Sequence, residues 1–124
     1  MTQAGLFITG TNTEVGKTFA SALIARALHS QGRALGVYKP AASGCRVEGS
    51  RYVSDDARAL WDAAGKPLNL PAVCPQLFLA PLAPPAAAAV EGRKVDPALL
   101  RSGLAAWSDF ELVIVEGAGG LLSP

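Results

Sequence analysis

At 124 residues the chain is long enough for one small domain with a single core, and too short for two. Half of it is apolar and only 17% is charged, a composition that excludes intrinsic disorder. The formal net charge of +1, with Lys and Arg scattered among acids, supplies no basic stripe of the kind a nucleic-acid surface needs.

Met1-Thr2-Gln3-Ala4-Gly5 leads into an apolar segment without a basic stretch, so no secretory signal is expected. Gly5-Leu6-Phe7-Ile8-Thr9 reads as a short buried strand that stops at Gly10. A small-residue loop, Thr11 to Gly16, follows. From Lys17 onward Ala20, Leu23, Ile24, Ala27 and Leu28 recur at the spacing of one helix face, and Gly32 fits a left-handed cap at the helix end. Ala34 to Tyr38 is a second strand, closed by Lys39-Pro40. Residues 41–53 read as an exposed loop, and Ser54 as the N-cap of a helix through Ala64.

Pro67 to Pro85 predicts little regular structure, and a short helix covers Ala86 to Val90. Asp96-Pro97 starts another, through Trp107, with proline in the first turn. The clearest strand is Leu112-Val113-Ile114-Val115, ending at Glu116 and a turn over Gly117 to Gly120. The longest apolar tract, Leu77 to Val90, is broken by Pro81, Pro84 and Pro85 and is too short to span a bilayer, so a cytoplasmic protein without a membrane or nucleic-acid partner is expected. Cys45 and Cys74 match no metal or redox spacing and read as plain thiols. Strands apolar throughout, separated by helices, predict an α/β fold: a parallel sheet of the phosphate-loop NTPase type with helices on its faces, as one domain over 1–124.

The segment Gly10-Thr11-Asn12-Thr13-Glu14-Val15-Gly16-Lys17-Thr18 carries the chemistry. A glycine turn between a strand and a helix aims backbone N–H groups at one point, where the helix dipole adds positive charge. Lys17 can reach the β- and γ-phosphates of ATP, the Thr18 hydroxyl can hold Mg²⁺, and Gly16 lets the backbone approach closely. The usual motif has about four residues between its glycines, and this one has five.

Glu116 ends an aliphatic strand, where ligands bind in open parallel sheets, and the glycines after it allow close approach; a carboxylate there suits Mg²⁺. Asp55 and Asp56 at a helix start have an ordinary role beside the helix dipole. Lys39 lies at the same sheet edge but could equally be a solvated loop cation. Ser43 and Gly44 are as ambiguous, and His29, near the end of the first helix, is expected to face water.

Together these segments resemble dethiobiotin synthetase. The likeness rests on residues 10–18, on Tyr-Lys-Pro-Ala-Ala-Ser-Gly at 38–44 and on Ser-Asp-Asp-Ala at 54–57. Pro75, Phe78, Pro81, Ala83-Pro84, Val-Glu-Gly-Ala-Gly-Gly-Leu at 115–121 and Ser123-Pro124 complete it, in the family's order. The family closes the ureido ring of dethiobiotin from 7,8-diaminopelargonic acid, CO₂ and ATP through a phosphorylated carbamate.

The resemblance implies Lys17 and Lys39 as catalytic residues and Thr13, Glu14, Val15, Gly16, Lys17, Thr18 and Phe19 around ATP. It adds Asp56, Glu116, Gly117, Ala118 and Gly119 to the nucleotide site, and assigns Thr18, Asp56 and Glu116 to Mg²⁺. Ser43 and Thr13 would contact substrate. Asp56 is chosen over Asp55 because Asp-Ala-x-x-Leu follows it. Family members are longer and dimeric, so the resemblance also implies a homodimer and a chain truncated after its nucleotide-binding half. Two other phosphate-loop enzymes remain as alternatives, a cobyrinic acid amide synthase and a partitioning ATPase, and so does an inactive fragment.

Overall fold

The structure, a computed structural model, describes residues 4–8 and 14–117; of β1 other than Gly5, and of residues 14–18, it describes the backbone alone. In chain order the elements are β1 (Ala4–Ile8), α1 (Glu14–Ser30), β2 (Leu35–Tyr38), β3 (Ala41–Ala42), β4 (Arg46–Glu48) and β5 (Arg51–Val53). They continue with α2 (Asp55–Ala63), α3 (Leu70–Val73), β6 (Gln76–Leu77), α4 (Pro84–Val90), α5 (Pro97–Ala105) and β7 (Leu112–Glu116).

The three apolar strands form one parallel sheet in the order β1-β7-β2, with Ile8 opposite Glu116 and Tyr38 opposite Val115. The strand that comes last in sequence therefore lies in the centre, and the carboxyl ends of all three reach one edge. α1 and α2 pack against each other and against β2. Gly36 and Tyr38 share the opposite strand face by alternation. There a Cβ on Gly36 would come within 2.6 Å of the fully buried Trp107 ring, and the Tyr38 hydroxyl donates to Leu100 O at 2.6 Å on α5.

The helix ends follow local chemistry. Gly32 takes φ +76°, its N–H reaching His29 O (2.9 Å), and Arg33 N–H returns to Leu28 O (3.4 Å), which is a Schellman closure. Ser54 Oγ accepts from Ala57 N–H at 3.1 Å, and Asp96 caps α5 through Ala98 and Leu99 N–H. Trp107 and Phe110 pack with ring centroids 5.0 Å apart behind β2.

Three expectations are corrected. α1 begins at Glu14 rather than Lys17, so the second half of the glycine-loop motif is already helical backbone. Its buried positions among the described residues are Ser21 and Ala25, whereas Leu23 and Ile24 on the expected core face are 50% and 37% exposed. The helix is apolar on more than one side, so periodicity alone could not choose the face that meets α2.

Residues 41–53 are a paired segment rather than a loop. β3 is buried and pairs in parallel with β6, while β4 and β5 form an antiparallel hairpin. Gly49, at φ +65° in the first turn position, meets the requirement of a type II′ turn. Within Pro67 to Pro85, Asn69 caps α3 and β6 supplies β3's partner. Among the described residues no helix is long and apolar enough to cross a membrane.

Gly36→Ala drives a methyl into Trp107 and is expected to destabilise the chain by roughly 1–3 kcal/mol. Urea unfolding followed by tryptophan fluorescence checks it; an unchanged midpoint would mean that Trp107 does not pack on β2 as described.

Candidate functional site

The carboxyl edge of the sheet carries a buried charge pair. Lys39 occupies the register position after Tyr38 and so stands beside Glu116, the last residue of β7. Lys39 Nζ lies 3.6 Å from Glu116 Oε1, and the two side chains are 1% and 0% exposed. The Lys39 N–H donates to Val73 O at 2.8 Å, which fixes the strand end against α3. Among the described residues Lys39 Nζ makes no hydrogen bond. β1 ends opposite Glu116 and leads directly into the glycine-loop motif. Thus the central strand sets a carboxylate between the end of β1 and a buried ammonium.

A second group of expected residues surrounds a cavity of about 420 Å³ lined by Ser43, Gly44, Ser54, Asp55, Asp56 and the segment Pro81-Leu82-Ala83. Gly44 adopts φ +65° at its wall. The two aspartates differ in their partners. Asp55 is held by Arg46 Nε at 2.9 and 3.1 Å, whereas Asp56 is half-buried without an ion-pair partner among the described residues. Arg46 also binds Glu48 at 2.7 Å; Glu48 and then Asp55 push its guanidinium above the ordinary value.

Cys45 is buried and feels charges from both groups, Lys39 and Asp55. Burial pushes its thiol up, with Lys39 opposing and Glu91 and Asp55 adding to the shift. The second thiol, Cys74, is pushed up to about 12, chiefly by burial. Both cysteines are free, as expected.

Thr13, Ala118 and Gly119 lie outside the described residues, and so do the side chains of Glu14, Val15, Lys17 and Thr18; Gly16 is known by backbone alone. Phe19 is exposed, and Gly117 follows β7 directly. The structure therefore joins Lys39 to Glu116, and Ser43 to Asp56 around one cavity. No hydrogen bond or ion pair between those two groups is present among the described residues. His29 is exposed as expected, although its ring also covers Gly65. Arg46, which separates the roles of Asp55 and Asp56, was not expected: its partner is set by the hairpin, which the sequence reading did not contain.

Residues 4–124 match the model of an AAA domain family (AAA_26). The chain belongs to this family. It is also 57% identical over 122 residues to the ATP-dependent dethiobiotin synthetase BioD of Rhodopirellula baltica, covering 95% of this chain and 47% of the relative. The corresponding protein of Anaeromyxobacter dehalogenans (strain 2CP-C) is 46% identical, with 97% of this chain and 52% of the relative covered. That of Serratia marcescens is 40% identical, with 95% and 52% covered. The likeness expected from the segments 10–18, 38–44 and 115–121 is thus borne out. The chain spans about half the length of the curated relatives it matches.

Lys39→Met removes the cation that faces the buried Glu116 carboxylate and is expected to destabilise by about 3–5 kcal/mol. Adding Glu116→Gln should then cost less than its own single effect, and a double-mutant cycle in urea reads the coupling. Additive effects would mean that the two groups do not interact. Native Cys74, neutral at assay pH, should react with Ellman's reagent at least roughly a hundredfold more slowly than in guanidinium. Equal rates would contradict its burial.

Proposed function

We propose that this chain carries the nucleotide- and substrate-binding part of an ATP-dependent dethiobiotin synthetase. The reaction would close the ureido ring of dethiobiotin from 7,8-diaminopelargonic acid, CO₂ and ATP. The observation that carries the reading is the likeness, at 57% identity, to a protein named for that activity. The buried Lys39–Glu116 pair at the sheet edge that receives the glycine-loop motif supports it.

In this reading one amine of the substrate adds to CO₂ and loses a proton, giving a carbamate. A carbamate oxygen attacks the γ-phosphorus of ATP, and the bond to ADP breaks. The second amine then attacks the carbamate carbon, and phosphate leaves as the ring closes. Every stage places negative charge near the strand ends. Phosphoryl transfer needs mainly positioning and charge stabilisation, which two lysines can provide. Lys17 would hold the phosphates, with the backbone from Thr13 to Thr18 around them and Phe19, Gly117, Ala118 and Gly119 nearby. Lys39, held at the sheet edge with an ammonium that makes no hydrogen bond among the described residues, would meet the carbamate and the transferring phosphoryl group. Ser43 and Thr13 would contact the diamine.

Thr18, Asp56 and Glu116 would hold Mg²⁺. A hydroxyl and two carboxylates are the hard oxygen donors this ion prefers, and Glu116 ends the central strand at the carboxyl edge of the sheet. Bound there, the ion would neutralise phosphate charge. Asp55, occupied by Arg46, fits it less well than Asp56. A cytoplasmic homodimer without nucleic-acid or membrane partners completes the reading.

ADP release with Mg²⁺, ATP, bicarbonate and 7,8-diaminopelargonic acid tests it, with Lys17→Ala as control. Release should require the diamine and fall by roughly a hundredfold or more in the variant. Release indifferent to the diamine would reject the synthetase reading. So would no release either from the chain alone or from the chain supplied with the complementary half of a relative.

A further inference from the structure

The cavity beside Asp56 has one wall with no regular structure of its own, Pro81-Leu82-Ala83, facing a second at Ser43-Gly44. Such walls need outside support. Gly44 N–H donates to Ala80 O at 3.0 Å, and Cys45 N–H donates to Phe78 O at 3.0 Å, so the two walls are tied to each other. Besides the pairing of β3 with β6, a carboxylate ties them to α4. Glu91 Oε2 accepts from Leu79 N–H at 2.8 Å and from Ala80 N–H at 3.2 Å, while its side chain is 16% exposed.

Glu91 follows the last residue of α4, where the helix's own carbonyls disfavour an anion. Local helix preference therefore does not explain a carboxylate at this position, whereas two otherwise unpaired backbone donors do. Arg93 completes the tie. Its guanidinium donates to Leu77 O at 2.8 Å, lies 3.4 Å from Glu91 Oε1 and stacks 4.3 Å over the Phe78 ring.

We propose that Glu91 is a positioning residue for the substrate cavity: its carboxylate fixes residues 79–80, and through Ala80 O it fixes Gly44 and the Ser43 wall. It acts at a distance from the cavity, through backbone alone. The proposal rests on the diamine occupying this cavity in the proposed reaction. Its first readout does not.

In Glu91→Ala, hydrogen exchange at the amides of Leu79, Ala80 and Gly44 should quicken by about tenfold or more, as loss of a hydrogen bond to a charged acceptor implies. Glu91→Gln keeps one oxygen acceptor and should restore most of the protection. Unchanged exchange at Gly44 in Glu91→Ala would overturn the proposal whatever the ligand proves to be. Titration calorimetry then separates the ligands: the alanine variant should bind 7,8-diaminopelargonic acid about tenfold more weakly and ATP within about twofold of wild type, with Glu91→Gln intermediate. Parallel losses for both ligands, or intact diamine binding despite lost protection, would also overturn it. Wild-type chain that binds ATP but no diamine would instead count against the proposed reaction, leaving Glu91 to be judged on Gly44 exchange.

Discussion

At the end of the central strand an ammonium and a carboxylate face each other with almost no access to water. Withdrawing each from water costs several kcal/mol. Their attraction at 3.6 Å is worth about 4–5 kcal/mol at an effective dielectric near 20. The two desolvations together match or exceed that attraction, so the pair adds little stability, and replacing it with apolar groups would serve the fold as well. Its consequence is placement. Because β7 lies between β1 and β2, Glu116 is set between the strand that leads into the glycine-loop motif and the strand that ends in Lys39. No other order of these three strands would put all three features at one edge with the carboxylate in the middle.

The rest of the chain holds that edge still. β2 is anchored at two points: the Tyr38 hydroxyl bonds to Leu100 O on α5, and the next residue's N–H bonds to Val73 O on α3. Trp107 extends the same link, its Nε1–H donating to Ala72 O at 3.2 Å. Beyond the edge the two-residue pairing of β3 with β6 would be weak alone. Gln76 strengthens it by acting as an extra bridge, since its amide donates to Asp96 O at 3.0 Å and accepts from Asp96 N–H at 2.8 Å. A side-chain amide thus joins β6 to the start of α5, and the Asp96 carboxylate caps that helix. The cavity is walled by segments of little regular structure, but every wall traces back to the sheet within a few hydrogen bonds.

What could be read from the sequence follows from where the information lies. β2 is buried throughout and β7 largely so, and each is a continuous apolar run, while Ser54 and Asp96 announce helices by local chemistry. The hairpin was illegible because Arg46, Val47, Glu48, Arg51 and Tyr52 are all exposed, and no alternation arises without a buried face. α1 misled for the opposite reason: it carries apolar residues on more than one side. Among site residues, Lys39 and Glu116 were each visible as groups at strand ends. That they meet depends on strand order, which no local pattern encodes. The preference for Asp56 rested on a motif alone, whereas the structure adds a physical difference, because Arg46 engages Asp55 from across the hairpin.

Departures from local preference are distributed unevenly, and that distribution is itself informative. A sequence that specifies its fold agrees with local rules nearly everywhere, and disagreements collect where function demands them. Here Lys39 and Glu116 are charges buried at a strand edge, Glu91 is an anion at a helix's carbonyl end, and Gly44 is left-handed at a cavity wall. All four belong to the sheet edge or to the cavity next to it. The apparent exception is the segment after α2, where Lys66 and Leu68 take φ of 58° and 51° without being glycine. That segment has its own local cause. Lys66 N–H returns to Trp61 O at 2.8 Å, the Trp61 indole donates to Pro67 O at 3.0 Å, and the Lys66 ammonium lies 5.7 Å from the indole ring. One aromatic residue thus holds the whole turn closed, and its strain needs no ligand to explain it. The disagreements around Glu116 have a different setting: Lys39 and Glu116 face each other at the carboxyl edge of the sheet, where open parallel sheets receive ligands.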